Sequence, residues 1–427
     1  MIERYARFLV RKSPAAINAA LRSIVRSAYA NVSHFRTGLD ALGIVPEAIQ
    51  SRVDLPRLPM SSRDEFAGHP TSGYTHRNAD LSRCHKSSTN GTTGVPLNVY
   101  MSRSEAAYRK LVLFNAIRRN IHLRLPFRIV EVGTGAIGIT TRRQMRRLDP
   151  VRVCHISRTL PIGEQLECLI RARPHVITGH PSCLELVAEE VHSRPPGFAP
   201  RLVVCRGELL SDSTRSLLRE NFGCKTVDYY SCDEVGNIAW ECPVNEHKLH
   251  ISSDGCVVEV VDESGAPLPA ETEGLILVTN LFNRTMPFIR YRLGDRGSML
   301  EEDDARCSCG YLGPSLALLA GREDDYLWLP DGRRLSPRVI DSLLASAFAA
   351  PSRDSYYAKR YQCIQEARDT IRVLVLPADH APDDLAARIS RTIEGIGPGI
   401  TCRVEFVAVF PSLPSGKHRS ILSSVEA

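Results

Sequence analysis

Short apolar runs alternate with helically spaced apolar residues through the middle of the chain. Residues 128–132, 176–179, 202–204 and 226–230 are apolar, partly β-branched and bounded by turn residues, which predicts buried strands. Residues 182–192 and 211–221 place apolar side chains three and four apart, which predicts amphipathic helices between those strands. This rhythm, running from about 64 to 283, predicts α/β layers around a largely parallel sheet. Upstream, to about residue 81, the pattern reads as helices broken by turns, with 55–62 as an extended connector. Beyond 256 the texture changes: 256–261 and 275–279 read as strands, with the turn Asp262–Gly265 between them in a hairpin-like arrangement. After a break near 321–325 comes a βαββ-like tail of about 100 residues, with strands at 361–365, 371–376 and 403–409 and a helix over 382–393. No internal repeat and no low-complexity segment interrupts this order.

Length and composition narrow the class. The 427 residues suffice for two or three domains, and 43% hydrophobic with 24% charged residues is ordinary for a globular protein. No apolar run reaches the roughly 18–20 residues that a bilayer span requires. The N-terminus lacks an apolar run followed by a small-residue cleavage site, and thirteen cysteines are scattered widely; both lead to the expectation of a cytoplasmic protein with reduced thiols. The net charge of +6 is concentrated before residue 37, where Arg4, Arg7, Arg11, Lys12, Arg22, Arg26 and Arg36 face the single acid Glu3. Apolar residues at helical spacing accompany them, so a docked helix with a basic surface is the main reading and a membrane-surface or targeting helix the alternative. No basic stripe with interleaved aromatics recurs, so nucleic acid is not an expected partner.

Candidate chemistry is strung along the chain. Ser87-Ser88-Thr89-Asn90-Gly91-Thr92-Thr93-Gly94-Val95-Pro96 mixes small hydroxyl residues with glycines, a composition that surrounds phosphate oxygens with backbone N–H groups and hydroxyls. A Walker-type loop needs Gly-Lys-Ser/Thr opening a helix, and Val95-Pro96 excludes it. Tyr229-Tyr230-Ser231-Cys232-Asp233-Glu234 follows a predicted strand; an aromatic there can stack on a purine, and a carboxylate can hold Mg²⁺. Tyr291-Arg292-Leu293-Gly294-Asp295 puts an aspartate beside a glycine turn, suited to two ribose hydroxyls. Gly321-Arg322-Glu323-Asp324-Asp325 and Pro414-Ser415-Gly416-Lys417 complete the series. Gly133-Thr134-Gly135-Ala136-Ile137-Gly138 is a GxGxxG string, read as a substrate-pocket loop rather than a dinucleotide site. His180, in a strand-to-helix turn, is either a pocket residue or a plain turn histidine.

In this order, and from about residue 55 to Lys417, these motifs resemble the adenylate-forming superfamily and, within it, its phenylacetate–coenzyme A ligase-like branch. The resemblance implies a large N-terminal adenylation domain with mixed sheets and helices (1–321, with 1–81 as helical lead-in) and a small mobile α+β C-terminal domain (322–427). It gives Ser88, Thr92, Thr93 and Gly94 to the phosphate loop, and Gly207 and Glu208 to the turn along the adenine. It gives Tyr229 and Tyr230 to the base, Glu234 to magnesium, and Asp295 with Arg322 to the ribose. Asp324 and Asp325 fall at the hinge, and Lys417 at the lysine that contacts the substrate carboxylate and α-phosphate. The implied reaction is ATP-dependent activation of a carboxylic acid, an aryl acid first, as its acyl-adenylate, followed by transfer to coenzyme A. An amine or hydroxyl acceptor is the alternative, and a degenerate nucleotide-binding scaffold is the alternative from another class. The branch also implies a homodimer. The chain departs from the pattern at Val95, Arg206, Ser231 and Asp233, and Asp233 adds negative charge near the expected triphosphate.

Two short pairs of soft ligands stand apart from these motifs. Cys242 and His247 are spaced Cys-x4-His, and Cys307 and Cys309 are spaced Cys-x-Cys about sixty residues later. Together they predict a closed, structural Cys₃His zinc site, with His250 as the less favoured substitute for His247. Some members of the branch look similar in carrying zinc here.

Overall fold

A computed structural model describes residues 13–68, 70–89, 97–121, 127–134, 151–157, 159–246, 248–301, 307–317, 319–350, 356–408, 410 and 419–425. The phosphate-loop residues Thr92, Thr93 and Gly94, the candidate ligand His247 and the lysine Lys417 lie outside them, as do Gly135 to Gly138.

In chain order the elements begin with helices α1 (Pro14–Asn31), α2 (Ser33–Ala41), α3 (Arg63–Gly68) and α4 (Thr71–Tyr74). The ribbon β1 (His85–Thr89) and β2 (Leu97–Met101) and helix α5 (Arg103–Asn120) follow. Next come β3 (Phe127–Thr134), β4 (Val151–Ser157), α6 (Ile162–Ala172), β5 (Val176–Gly179), α7 (Pro181–Ser193), β6 (Leu202–Arg206), α8 (Asp212–Phe222) and β7 (Lys225–Cys232). Strands β8 (Gly236–Glu241), β9 (Lys248–Ile251), β10 (Cys256–Val261), β11 (Gly274–Asn280), β12 (Tyr291–Gly297) and β13 (Ser315–Ala317) are succeeded by short β14 (Gly321–Arg322), β15 (Leu327–Trp328) and β16 (Arg334–Leu335). Helix α9 (Pro337–Phe348), β17 (Ala358–Ala367), β18 (Thr370–Pro377), α10 (Leu385–Glu394), β19 (Thr401–Phe406) and β20 (Ile421–Ser423) complete the chain.

The chain forms two compact units, each assembled from two segments: Met1–Asn120 with Tyr229–Leu319, and Ile121–Asp228 with Ala320–Ala427. Strand β7 runs across the division. In the first unit β7, β8, β9 and β13 pair antiparallel, and β10, β11 and β12 form a second antiparallel set. One core lies between them, with Tyr230, Ile238, Leu249, Ile276, Phe288 and Tyr291 among its members. A further cluster packs α1 and α2 beneath the connector, through Leu21, Ile24, Leu39, Leu55 and Leu58.

The connector is extended because its partner is a strand: Ser61 bridges Tyr291, accepting from the Arg292 amide at 2.8 Å and donating its own amide to the Arg290 carbonyl at 3.0 Å. Arg290 locks the junction. Its buried guanidinium donates to the Leu58 carbonyl at 2.7 Å and the Gly265 carbonyl at 2.6 Å, and pairs with Glu259 at 3.2 Å. The backbone accepts a left-handed φ of 46° to hold it there.

In the second unit, β4, β3, β5 and β6 are parallel neighbours in that order, the parallel pairing expected of the middle region, and β7 follows β6 in the same sheet. The alternation of each strand sends Val130, Val132, Ile177, Val203 and Cys205 into a core with helices α6, α7 and α8. The segment from Leu327 to Ile421 has a separate core, built on Ile340, Leu344, Val373, Ile389 and Ile393. Its sheet runs β19-β18-β17-β20, with β17 and β18 antiparallel and the outer pairs parallel. The expected helix at 382–393 begins three residues late, at Leu385, because Pro382 and two aspartates form the turn ahead of it.

Candidate active site and metal centre

Two tyrosine–carboxylate hydrogen bonds tie β12 to the turn after β7. Tyr230 donates its hydroxyl to Asp295 at 2.7 Å, and Tyr291 donates to Glu234 at 3.2 Å. Each strand therefore supplies one phenol and receives one, so Tyr230, Glu234 and Asp295 are brought together. Asp295 reaches this position through an irregular register: Arg292 pairs with Leu277 and Arg296 with Leu275, leaving residues 293–295 opposite the single Ile276. Gly294, at φ 77°, supplies the left-handed turn that the bulge needs. Glu234 is buried at 6% exposure, and Arg63, delivered by the connector onto α3, stands 3.7 Å from its carboxylate. Burial, then the neighbouring Glu234, raises the Tyr291 phenol far above its ordinary range, so it stays a neutral donor.

Tyr229 is a correction to the sequence reading. Successive residues of a strand face opposite sides: Tyr230 lies on the side of the first unit's core, and Tyr229, on the other side, is 1% exposed with its hydroxyl accepting from Asn120 of α5 at 3.0 Å. It has no surface to offer a nucleotide.

The charge on Asp233 is answered locally. Arg109 on α5 donates to the Asp233 carbonyl at 2.9 Å and lies 3.4 Å from its half-exposed carboxylate. Ser88 is exposed on β1, opposite Asn98 on β2, so this ribbon flanks the expected phosphate loop on both sides.

The second unit carries the other expected residues. Gly207, at φ 79°, lies so close to the His180 ring that a Cβ there would stand 2.7 Å from Cε1. Glu208 accepts from the Ser182 amide at 3.1 Å, in the first turn of α7, and lies 3.9 Å from His180 Nδ1. Arg206 pairs with Glu131 on β3, which also lies 3.1 Å from His155 Nδ1. Arg322 is exposed, Asp324 sits in the turn Glu323–Asp325, and Asp325 is buried in an ion pair with Arg419.

A cluster of soft donors closes one corner of the first unit. Cys242, His250, Cys307 and Cys309 each present a ligand atom, all within 4.8 Å of one another. Cys242 Sγ is 3.7 Å from Cys307 Sγ, and His250 Nε2 is 3.2 Å from Cys309 Sγ. These separations match the edges of a tetrahedron with metal–sulfur bonds of about 2.3 Å and metal–nitrogen bonds of about 2.0 Å. The register opposes Ser315 to His250, and the serine hydroxyl meets His250 Nδ1 at 2.9 Å, which leaves Nε2 to face the thiols. Burial, then Lys248 and Arg119, push the imidazole down to about 4, so it is neutral at physiological pH, as a ligand must be. Among the described residues the histidine of the cluster is His250, which strand β9, antiparallel beside β8, buries there; His247 lies outside the described residues.

The sequence reading also missed Arg63, Arg109 and the role of Tyr291. Only Tyr291 left a signal, as the first residue of the quoted Tyr-Arg-Leu-Gly-Asp string.

No family model matches the chain. A phenylacetate–coenzyme A ligase of Thermus thermophilus is 26% identical over 433 residues, covering 94% of both chains. Among solved structures, a 2-hydroxyisobutyryl-CoA ligase in its postadenylation state superposes with a TM-score of 0.76 at 18% identity, covering 96% of this chain and 89% of that one. The chain is similar over nearly its full length to phenylacetate–coenzyme A ligases and has the fold of the adenylate-forming ligases. It is also similar to Protein CapK of Staphylococcus aureus, 21% identical over 384 residues, covering 87% of this chain and 81% of that one. No described helix is long and apolar enough to cross a membrane.

Proposed function

We propose that the chain activates a carboxylic acid, an aryl acid first, with ATP and passes the acyl group to coenzyme A. The observation that carries this reading is the pairing of Tyr230 with Asp295 and of Tyr291 with Glu234, which gathers an aromatic ring and two carboxylates on adjacent elements. In the first half-reaction a substrate carboxylate oxygen attacks the α-phosphorus and pyrophosphate leaves. In the second, the coenzyme A sulfur attacks the acyl carbonyl, loses its proton, and AMP leaves. Tyr230 flanks the base, Asp295 accepts from the ribose hydroxyls, and Gly207 and Glu208 carry the turn assigned to the adenine. The hydroxyl and glycine residues Ser88, Thr92, Thr93 and Gly94 hold phosphate oxygens, and Arg322 adds positive charge beside the ribose.

Glu234 offers a hard oxygen ligand of the kind that holds magnesium together with substrate phosphates. Glu234 would hold magnesium, which would supply positive charge to offset that of the departing pyrophosphate. Lys417 stabilises charge on the α-phosphoryl oxygens, and Asp324–Asp325 serve as the turn between a 1–321 domain and a mobile 322–427 domain with its own core. Cys242, His250, Cys307 and Cys309 would hold zinc; a complete set of protein ligands makes the role structural. Thirteen cysteines outside any disulfide suit a reducing, cytoplasmic setting.

Acid-dependent ATP–pyrophosphate exchange tests the adenylation step, and product formation with coenzyme A against an amine tests the acceptor. Exchange without coenzyme A consumption, but with amide formed, would assign the second half-reaction to an amine acceptor. No exchange with any acid would leave only a nucleotide-binding scaffold.

A further inference from the structure

The parallel strands of the second unit end in polar side chains on one face. In the register of the sheet, His155 of β4 pairs with Glu131 of β3, Glu131 with Thr178 of β5, and Thr178 with Val204 of β6. Register partners in parallel strands share a face, and Arg206 follows Val204 by two residues on that same face. The opposite face holds the apolar residues that pack on α6, α7 and α8, so the strands are amphipathic only at their carboxyl ends. Open parallel sheets bind ligands outside those ends.

The row is charged but not saturated. Arg206 pairs with Glu131, and His155 Nδ1 lies 3.1 Å from the same carboxylate. Their side chains keep only 23%, 19% and 35% of their exposure respectively. Thr178, in the centre of the row, is 2% exposed, and its hydroxyl has no hydrogen-bond partner among the described residues. A buried hydroxyl without a partner is costly, and a carboxylate has about four lone-pair sites, more than Arg206 and His155 use.

We infer that this row selects the acid, and that the acid carries a hydroxyl or amino group on its acyl part. The inference rests on the adenylating reading. A substrate hydroxyl donates to Glu131 and accepts from Thr178, which completes the row; an unsubstituted ring or alkyl chain leaves the Thr178 hydroxyl unmet. Sites that hydrogen-bond a substrate hydroxyl reject the analogue lacking it far more strongly than apolar pockets reject an added one.

The test uses the full chain in ATP–pyrophosphate exchange with matched acids: phenylacetic and benzoic acid, and their ring-hydroxylated and ring-amino counterparts. The expected result is a preference of about 100-fold or more in kcat/KM for at least one substituted acid over its parent. Thr178→Val, which keeps the volume and removes the hydroxyl, narrows that preference by roughly tenfold with the KM for ATP unchanged. Glu131→Gln removes the charge but keeps an acceptor, and retains the preference in part. Equal or better activation of the unsubstituted acids overturns the inference and leaves the adenylating reading intact. So does a Thr178→Val enzyme with a raised KM for ATP and an unaltered ranking of acids, which would give the row to the nucleotide. Exchange with no acid at all removes both.

Discussion

The metal corner and the tyrosine–carboxylate lattice belong to the same unit, yet they are built in opposite ways. At the corner, three chain segments deliver four soft donors to one point, and the histidine's other nitrogen is occupied by Ser315. Trp240 and Tyr311 pack on the His250 ring at centroid distances of 4.8 and 4.5 Å and hold it in place. In the lattice the carboxylates are hard donors, each accepting from a phenol, and Glu234 also faces Arg63. Under the proposed function, one region would be filled once and the other would take ligands that come and go. The difference shows that burial alone does not identify a working site, since Glu234 and His250 are both buried.

Breaking the corner carries the largest expected effect. Cys307→Ser, or removal of zinc by a chelator, lowers stability by on the order of 4 kcal/mol, read as a fall of roughly ten degrees in Tm. An unchanged Tm, or well under one zinc per purified chain, would abolish the contrast. Lys417→Ala comes next: loss of one electrostatic donor slows acid-dependent exchange by about 100-fold without altering Tm. Near-normal exchange would remove the lysine from the assignment. Asp295→Asn sharpens the lattice side, with KM for ATP rising by roughly tenfold while Tyr230→Phe raises it less, because the carboxylate remains. The smallest effect belongs to Arg109→Ala, which frees the half-exposed Asp233: stability changes by about 0.5 kcal/mol, and KM for ATP rises a few-fold, most at low salt.

Periodicity exposed most of the strands and helices, because the buried runs at 176–179, 202–206 and 256–261 are apolar on both faces or nearly so. It exposed β8 and β9 poorly: Gly236–Glu241 is buried throughout although it contains Asn237 and Glu241, and polarity hid the burial. The candidate site was legible where motifs are contiguous, as in Tyr230 to Glu234. It was not legible where strand alternation decides, since neighbouring Tyr229 and Tyr230 look equivalent until their faces are known. Arg63 and Arg109 were hidden for another reason: each meets its acid more than a hundred residues away, and one sequence holds no record of that pairing.

The phenols also set the terms on which any visitor is received. Tyr230 and Tyr291 each take one of the roughly four lone-pair sites of a carboxylate, so under the proposed function an arriving hydroxyl or cation joins a phenol rather than displacing it. The phenol orients the acid in advance, which lowers the cost of ordering it on binding.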